Sequence, residues 1–160
     1  MKNKLFIVED NVMYAEAMKQ ALASDAYDIE IFYNGTDFLN SIDQKPDIVT
    51  IDYMLPDMTG MEVFEKIQNI NPDIHCIFLS GQEDVNKVVE AYKSGVRNYI
   101  VKNDNAIVEL KQAVKSCLNT ISLRKEVDLL NEEIVDRTKY SKIIGSSNAM
   151  MRVLKLIQRV

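Results

Sequence analysis

The sequence predicts an α/β fold, a doubly wound parallel sheet of five strands, extended by one long C-terminal helix. Three observations predict it. Five short apolar runs alternate with segments of helical periodicity, which is the pattern of successive βαβ units. Three of those runs are almost unbroken in hydrophobic residues, as strands buried on both faces must be. From about Asp104 to about Thr138 no glycine or proline interrupts the helical pattern.

The first run is Leu5-Phe6-Ile7-Val8. A helix follows over Val12 to Ala23, rich in the strong helix formers Ala, Met and Glu. Ile29-Glu30-Ile31-Phe32 alternates more than the others, which places that strand near an edge. Asn34-Gly35 signals a turn into a helix over Thr36 to Ile42. The third run is Ile48-Val49-Thr50-Ile51. The next helix, Gly60 to Ile70, sets Met61, Phe64, Ile67 and Ile70 on one face and stops at Asn71-Pro72. Ile74 to Leu79 is the fourth run. Asp84 to Ser94 then reads as a helix with Val85, Val88, Val89 and Tyr92 on one side and Gly95 as a left-handed cap. Tyr99-Ile100-Val101 is the last strand.

The final helix carries two apolar stripes. Ile107, Leu110, Val114, Cys117 and Ile121 are spaced to pack on the sheet. Leu123, Val127, Leu130 and Ile134 keep the spacing in a shifted phase, which points to a partner helix in a coiled coil. From Lys139 the character changes. Ile143-Ile144-Gly145-Ser146-Ser147 is expected to break the helix. Asn148 is expected to cap a new one with Met150, Met151, Val153, Leu154, Ile157 and Val160 as its apolar residues. The expected organisation is a domain over 1–120, a linker helix over 121–138 and the start of a truncated domain over 139–160.

Composition narrows the function classes. The chain has 160 residues, 47% hydrophobic and 27% charged, ordinary for a globular domain with an extension. A net charge of -5 argues against a nucleic-acid surface in this piece. No apolar run approaches a membrane span, and the N-terminus lacks the apolar core and cleavage site of a signal peptide, so a cytoplasmic location is expected. Cys76 and Cys117 lie far apart without metal-ligand spacing and are expected to be reduced core residues. His75, the single histidine, stands in an apolar run and is expected to be structural.

The chemistry lies at the strand ends. Glu9 and Asp10 end the first strand, Asp52 the third, Ser80 the fourth and Lys102 the fifth. Ligands of open parallel sheets bind beyond the carboxyl ends of the strands, so these residues should converge. Clustered carboxylates need compensation. A hard cation such as Mg²⁺ suits oxygen ligands and leaves room for a phosphoryl group, and Lys102 adds a second positive charge. The set suits phosphoryl transfer to a carboxylate nucleophile. Asp52 is the natural acceptor because it stands alone on its strand, whereas Glu9 and Asp10 are paired to hold metal. Ser80 is placed to donate to a phosphoryl oxygen.

Four segments carry a resemblance: Phe6-Ile7-Val8-Glu9-Asp10, Asp52 through Gly60, Leu79-Ser80-Gly81 and Gly95 through Lys102. In order and spacing they resemble the receiver domains of bacterial response regulators, over roughly residues 3–120. The resemblance implies a flavodoxin-like strand order of 2-1-3-4-5. It implies that Asp52 is the phosphoacceptor, Asp10 a direct Mg²⁺ ligand, Glu9 a ligand through water, and the Met54 carbonyl a further ligand. Ser80 matches the switch hydroxyl, Tyr99 the switch aromatic and Lys102 the phosphate-pairing lysine. The implied phosphodonor is the phosphohistidine of a sensor histidine kinase. One departure is Asn103, which stands where the family commonly has proline, so a cis peptide after Lys102 is not expected.

The segment Ile143 to Met150, with Val153, Ile157 and Val160, resembles the start of the AAA+ ATPase domain of NtrC-type sigma-54 activators. No G-x-x-x-x-G-K-[ST] loop occurs, so this chain has no such ATPase site of its own. The resemblance implies a homodimer through the linker helix, with DNA and sigma-54 polymerase contacted only by domains beyond Val160. An enzyme on a related fold is the competing reading. The loop Glu9-Asp10-Asn11-Val12 lacks glycine and would repel a pyrophosphate, which disfavours nucleotide binding. A Mg²⁺-dependent phosphatase with an aspartyl-phosphate intermediate remains the alternative.

Overall fold

The computed structural model describes the backbone of residues 2–24, 26–81 and 85–146, with side chains at all of these except 85, 86, 133 and 135–146. The elements are β1 (Asn3–Val8), α1 (Val12–Leu22), β2 (Tyr27–Phe32), α2 (Gly35–Asn40), β3 (Ile48–Asp52), α3 (Gly60–Ile70), β4 (His75–Ser80), α4 (Val85–Lys93), β5 (Asn98–Val101) and α5 (Ala106–Ser146). All neighbouring strands are parallel, in the order β2-β1-β3-β4-β5. The predicted doubly wound sheet, its strand order and the edge position of the second strand are all observed.

Burial follows position in the sheet. Every residue of β3 is buried, whereas β2 alternates between half-buried and exposed until Phe32. Alternate residues of a strand face opposite sides. Phe6 and Val8 of β1 therefore join a core with Phe32, Phe38, Phe64 and Phe78, while Leu5 and Ile7 are buried outside that cluster. Phe6 and Phe32 meet at 5.0 Å between ring centroids and Phe64 and Phe78 at 5.7 Å, tilted and edge-on, as ring quadrupoles prefer.

Local chemistry explains the helix ends. Asn11 caps α1 by accepting from Tyr14 N–H, and Asn34 caps α2 by accepting from Asp37 N–H. Thr59 and Glu62 form a capping box at α3. Gly95 closes α4 at φ 95°, with Gly95 N–H bonded to Tyr92 O and Val96 N–H to Ala91 O. This is the Schellman arrangement that the glycine predicted.

Four expectations need correction. The second helix spans Gly35–Asn40, and a separate 3₁₀ turn covers Ile42–Gln44. The α3 core face is Gly60, Val63, Phe64 and Ile67, and Ile70 is exposed. On α4, Ala91 is fully buried and Val88 half-buried, while Val89 and Tyr92 are exposed. Finally, α5 does not break at Ile143: it runs through Gly145 to Ser146, the last described residue. A glycine in a helix costs only about 1 kcal/mol, too little to end it without proline or a capping residue. The new helix expected after Asn148 lies outside the described residues.

The first α5 stripe is buried at Leu110, Val114 and Cys117 and half-buried at Ile107 and Ile121. The second stripe, Leu123, Val127, Leu130 and Ile134, is exposed, as is Leu129. The chain divides into a compact unit over Met1–Leu118 and a second over Asn119–Val160. Among the described residues no helix is long and apolar enough to cross a membrane. Cys76 and Cys117 are buried and free, as expected, and burial pushes the Cys76 thiol up to about 12. His75 opens β4, at the end of that strand remote from Ser80.

Candidate functional site

Parallel register assembles the site. Val8 lies beside Ile51, Asp52 beside Leu79, and Ser80 beside Val101. The residues that end or follow β1, β3, β4 and β5 therefore emerge along one edge. Asp52 is the last residue of β3, Ser80 the last of β4, and Glu9, Asp10 and Lys102 fall just beyond β1 and β5. Of the residues singled out at the strand ends, Glu9, Asp52 and Ser80 are buried, and Asp10 is exposed.

The acids converge. One carboxylate oxygen from each of Glu9, Asp10 and Asp52 lies within 4.8 Å of the others. Lys102 reaches into the same cluster, with Nζ 2.7 Å from Glu9 Oε2 and 3.0 Å from Asp52 Oδ2. The other Glu9 oxygen accepts the Asn11 N–H at 3.3 Å. Burial pushes the Glu9 carboxyl up, and the Asp52 charge adds to this; the hydrogen bond from Lys102 opposes them without cancelling them. For Lys102, burial acts to lower the pKa, but the bonds to Glu9 and Asp52 outweigh it and the ammonium is held above its usual range.

The segment after β3 wraps closely around its acid. Met54 N–H points to Asp52 Oδ1 at 3.5 Å, Gly60 N–H bonds Tyr53 O at 2.8 Å, and Met54 bridges Thr59. A Cβ at Gly60 would stand 2.4 Å from the Asp52 carbonyl oxygen, so only glycine permits this approach. The Met54 side chain is exposed at the rim. Lys102 N–H bonds Ser80 O at 2.8 Å, which ties the lysine's backbone to the hydroxyl-bearing strand. Tyr99 is farther along β5. Its ring stacks on Phe78 at 6.5 Å, and its hydroxyl oxygen is buried without a hydrogen-bond partner among the described residues. Among the described residues no peptide is cis, as expected at Lys102-Asn103.

Two residues escaped the sequence reading. Tyr14 lies with its ring 4.9 Å from Lys102 Nζ. Asp57 accepts from the N–H groups of Gly35 and Thr36. Tyr14 gave no signal, because its partner Lys102 follows β5. Asp57 gave none, because its partners come from another loop.

A five-stranded parallel sheet in this order, with paired acids after the first strand, a buried acid on the third and a lysine after the fifth, defines the CheY-like receiver class. The chain belongs to the response regulator receiver domain family, whose pattern it matches over residues 5–115. It is 31% identical over 153 residues to the regulatory protein LuxO of Vibrio cholerae, covering 94% of this chain and 32% of that protein. To the regulatory protein AtoC of Escherichia coli it is 25% identical over 154 residues, covering 96% of this chain and 33% of that protein. The chain thus spans about a third of the length of these curated relatives. The crystal structure of a signal receiver domain described as that of a Luxo repressor protein from Vibrio parahaemolyticus superposes with a TM-score of 0.74 at 26% identity, covering 79% of this chain and 98% of that one.

Proposed function

We propose that this chain is a phosphorylation switch in which Asp52 accepts a phosphoryl group from the phosphohistidine of a sensor histidine kinase. The observation that carries the reading is the pairing of Lys102 with Asp52 at 3.0 Å inside a cluster of three carboxylates. An Asp52 oxygen forms the new bond to phosphorus as the donor's phosphorus–nitrogen bond breaks, and the imidazole leaves with that electron pair. Catalysis here is positioning and charge compensation. Lys102 moves its ammonium onto a phosphoryl oxygen, and Ser80 donates its hydroxyl to another. Among the described residues the Tyr99 hydroxyl is buried without a bond, a costly placement that favours a second position for the ring once Ser80 moves.

The donor set fits Mg²⁺, since three oxygen ligands of the preferred hard type come within 4.8 Å of one another. Asp10 and Asp52 would hold it directly, Glu9 through water, and the Met54 carbonyl would complete the protein's share. When bound it supplies neutralisation of charge on the phosphoryl oxygens. Val12, Met13 and Met54 are exposed apolar residues on segments adjoining the cluster and offer a surface to the phosphodonor.

Downstream, we read the chain as the regulatory part of a sigma-54 activator. Residues 1–120 form the receiver, 121–138 a dimerising linker and 139–160 the start of an ATPase domain, with DNA and sigma-54 polymerase contacted through domains beyond Val160. The exposed stripe from Leu123 to Ile134 supports the linker role.

Incubation with acetyl phosphate and Mg²⁺, followed by intact mass, tests the central reading. A single phosphate per chain, absent from Asp52→Asn, is expected. Continuous turnover of small phosphate esters would instead assign a phosphatase with an aspartyl-phosphate intermediate.

A further inference from the structure

We propose that Tyr14 is a positioning residue whose ring holds the Lys102 ammonium in place for phosphoryl transfer, an inference that rests on Asp52 being the acceptor. The first turn of α1 anchors the Tyr14 backbone, because Asn11 Oδ1 accepts the Tyr14 N–H at 3.0 Å. The Lys102 Nζ then has three neighbours: Glu9 at 2.7 Å, Asp52 at 3.0 Å and the Tyr14 centroid at 4.9 Å. A lysine side chain is flexible and loses considerable rotamer freedom when held. Cation–π attraction strengthens as the cation is desolvated, and the Lys102 side chain is only 19% exposed.

The ring differs from the two carboxylates in one respect. Phosphorylation turns the Asp52 carboxylate into an acyl phosphate, a mixed anhydride, and moves the negative charge that Lys102 faced from the carboxyl onto the phosphoryl oxygens. The quadrupole of the ring is the same before and after. Tyr14 therefore gives the ammonium a constant contact while its anionic partner changes from carboxylate to phosphoryl oxygen.

The work falls to the ring and not to the hydroxyl. The Tyr14 hydroxyl oxygen is buried and has no hydrogen-bond partner among the described residues. Burial raises the phenol's pKa, the charges of Glu9 and Asp52 add to this and Lys102 opposes it, so the group stays protonated and is no base. Phenylalanine should then serve as well as tyrosine.

The test is the initial rate of Asp52 labelling by acetyl phosphate with Mg²⁺, read by intact mass on the full chain. Tyr14→Leu should slow labelling about three- to tenfold, and Tyr14→Phe should restore it to within about twofold of the parent. In a Lys102→Met background, Tyr14→Leu should have no further effect, which separates action through Lys102 from loss of packing. In the unphosphorylated parent, the Lys102 methylene protons should show an upfield ring-current shift in NMR, retained in Tyr14→Phe. A parent without that shift overturns the inference even if Tyr14→Leu fails to fold. So does a Tyr14→Leu rate equal to the parent's, an equal slowing without Lys102, or a Tyr14→Phe variant as slow as Tyr14→Leu. These outcomes leave the acceptor role of Asp52 standing. A parent that takes no label on Asp52 overturns both.

Discussion

The Asp57 carboxylate accepts the Thr36 backbone N–H at 2.8 Å across twenty-one residues of sequence, and its other oxygen accepts Gly35 N–H at 2.9 Å. It thereby satisfies donors at the start of α2 that have no partner within the helix, and it fastens the segment after β3 to the segment after β2. That segment carries Met54 and closes over Asp52, so its anchorage bears on the site.

This tether should respond to acid. Slight burial acts to raise the Asp57 carboxyl, but the Thr36 hydroxyl and the two N–H groups outweigh it and bring the pKa down from 3.8 to about 2. A depressed carboxylate contributes stability above its unfolded value and loses it as pH falls through the folded one. Asp57→Asn should therefore be less stable than the parent at neutral pH, by about 1 kcal/mol as for a lost helix cap. The difference should shrink on acidification toward the folded value. Urea unfolding at several pH values measures this, and a gap independent of pH would refute it.

Gly60→Ala should damage both stability and chemistry. The new Cβ would meet the Asp52 carbonyl oxygen at 2.4 Å, and that neighbour is backbone. A loss of about 2 kcal/mol is expected from such overpacking, with slower labelling of Asp52 by acetyl phosphate. Parental labelling together with parental stability would show that the segment relaxes freely.

Thr50→Val should stabilise the protein. Thr50 is fully buried in β3, and its hydroxyl has no hydrogen-bond partner among the described residues. Valine keeps the branched shape suited to a strand and removes the desolvated hydroxyl, for a gain of about 1 kcal/mol. Chemical denaturation decides the sign.

Met54→Asn should shorten the life of the phosphorylated form. The Met54 side chain is exposed at the rim, two positions beyond Asp52, where a bulky apolar group hinders an attacking water and an amide would orient one. Loss of phosphate followed by intact mass after removal of acetyl phosphate reads the rate. An unchanged or slower rate counts against steric protection.

Leu123→Glu combined with Leu130→Glu should shift the chain toward monomer in sedimentation equilibrium. Both residues are exposed on α5, at 62% and 52%, in a stripe that a second helix would cover. An identical oligomeric state for parent and variant, phosphorylated or not, removes the linker-dimer proposal.

The convergence of Glu9, Asp10, Asp52 and Lys102 was legible because strand ends in a parallel sheet share one edge, so position along the chain translates directly into position in space. The helix faces were less so. Ala91 and Gly60 carry little hydrophobic weight, yet both are buried, on α4 and α3 respectively. Gly145 looked like a stop and was tolerated within α5. Tyr14 and Asp57 were missed for a different reason. Each acts across elements, on Lys102 and on the start of α2, and periodicity within one element holds no record of such a meeting.

The sheet order separates tasks by strand. β1, β3 and β5 and the residues just after them supply the acid cluster and its lysine, while β2 stands at the margin and, among the described residues, meets the cluster only through its backbone, where Phe32 O accepts the Glu9 N–H. Substitutions on its outward side chains are thus insulated from the chemistry by the whole width of β1. The flank around β2 can therefore change its outward side chains without displacing a group of the reaction centre.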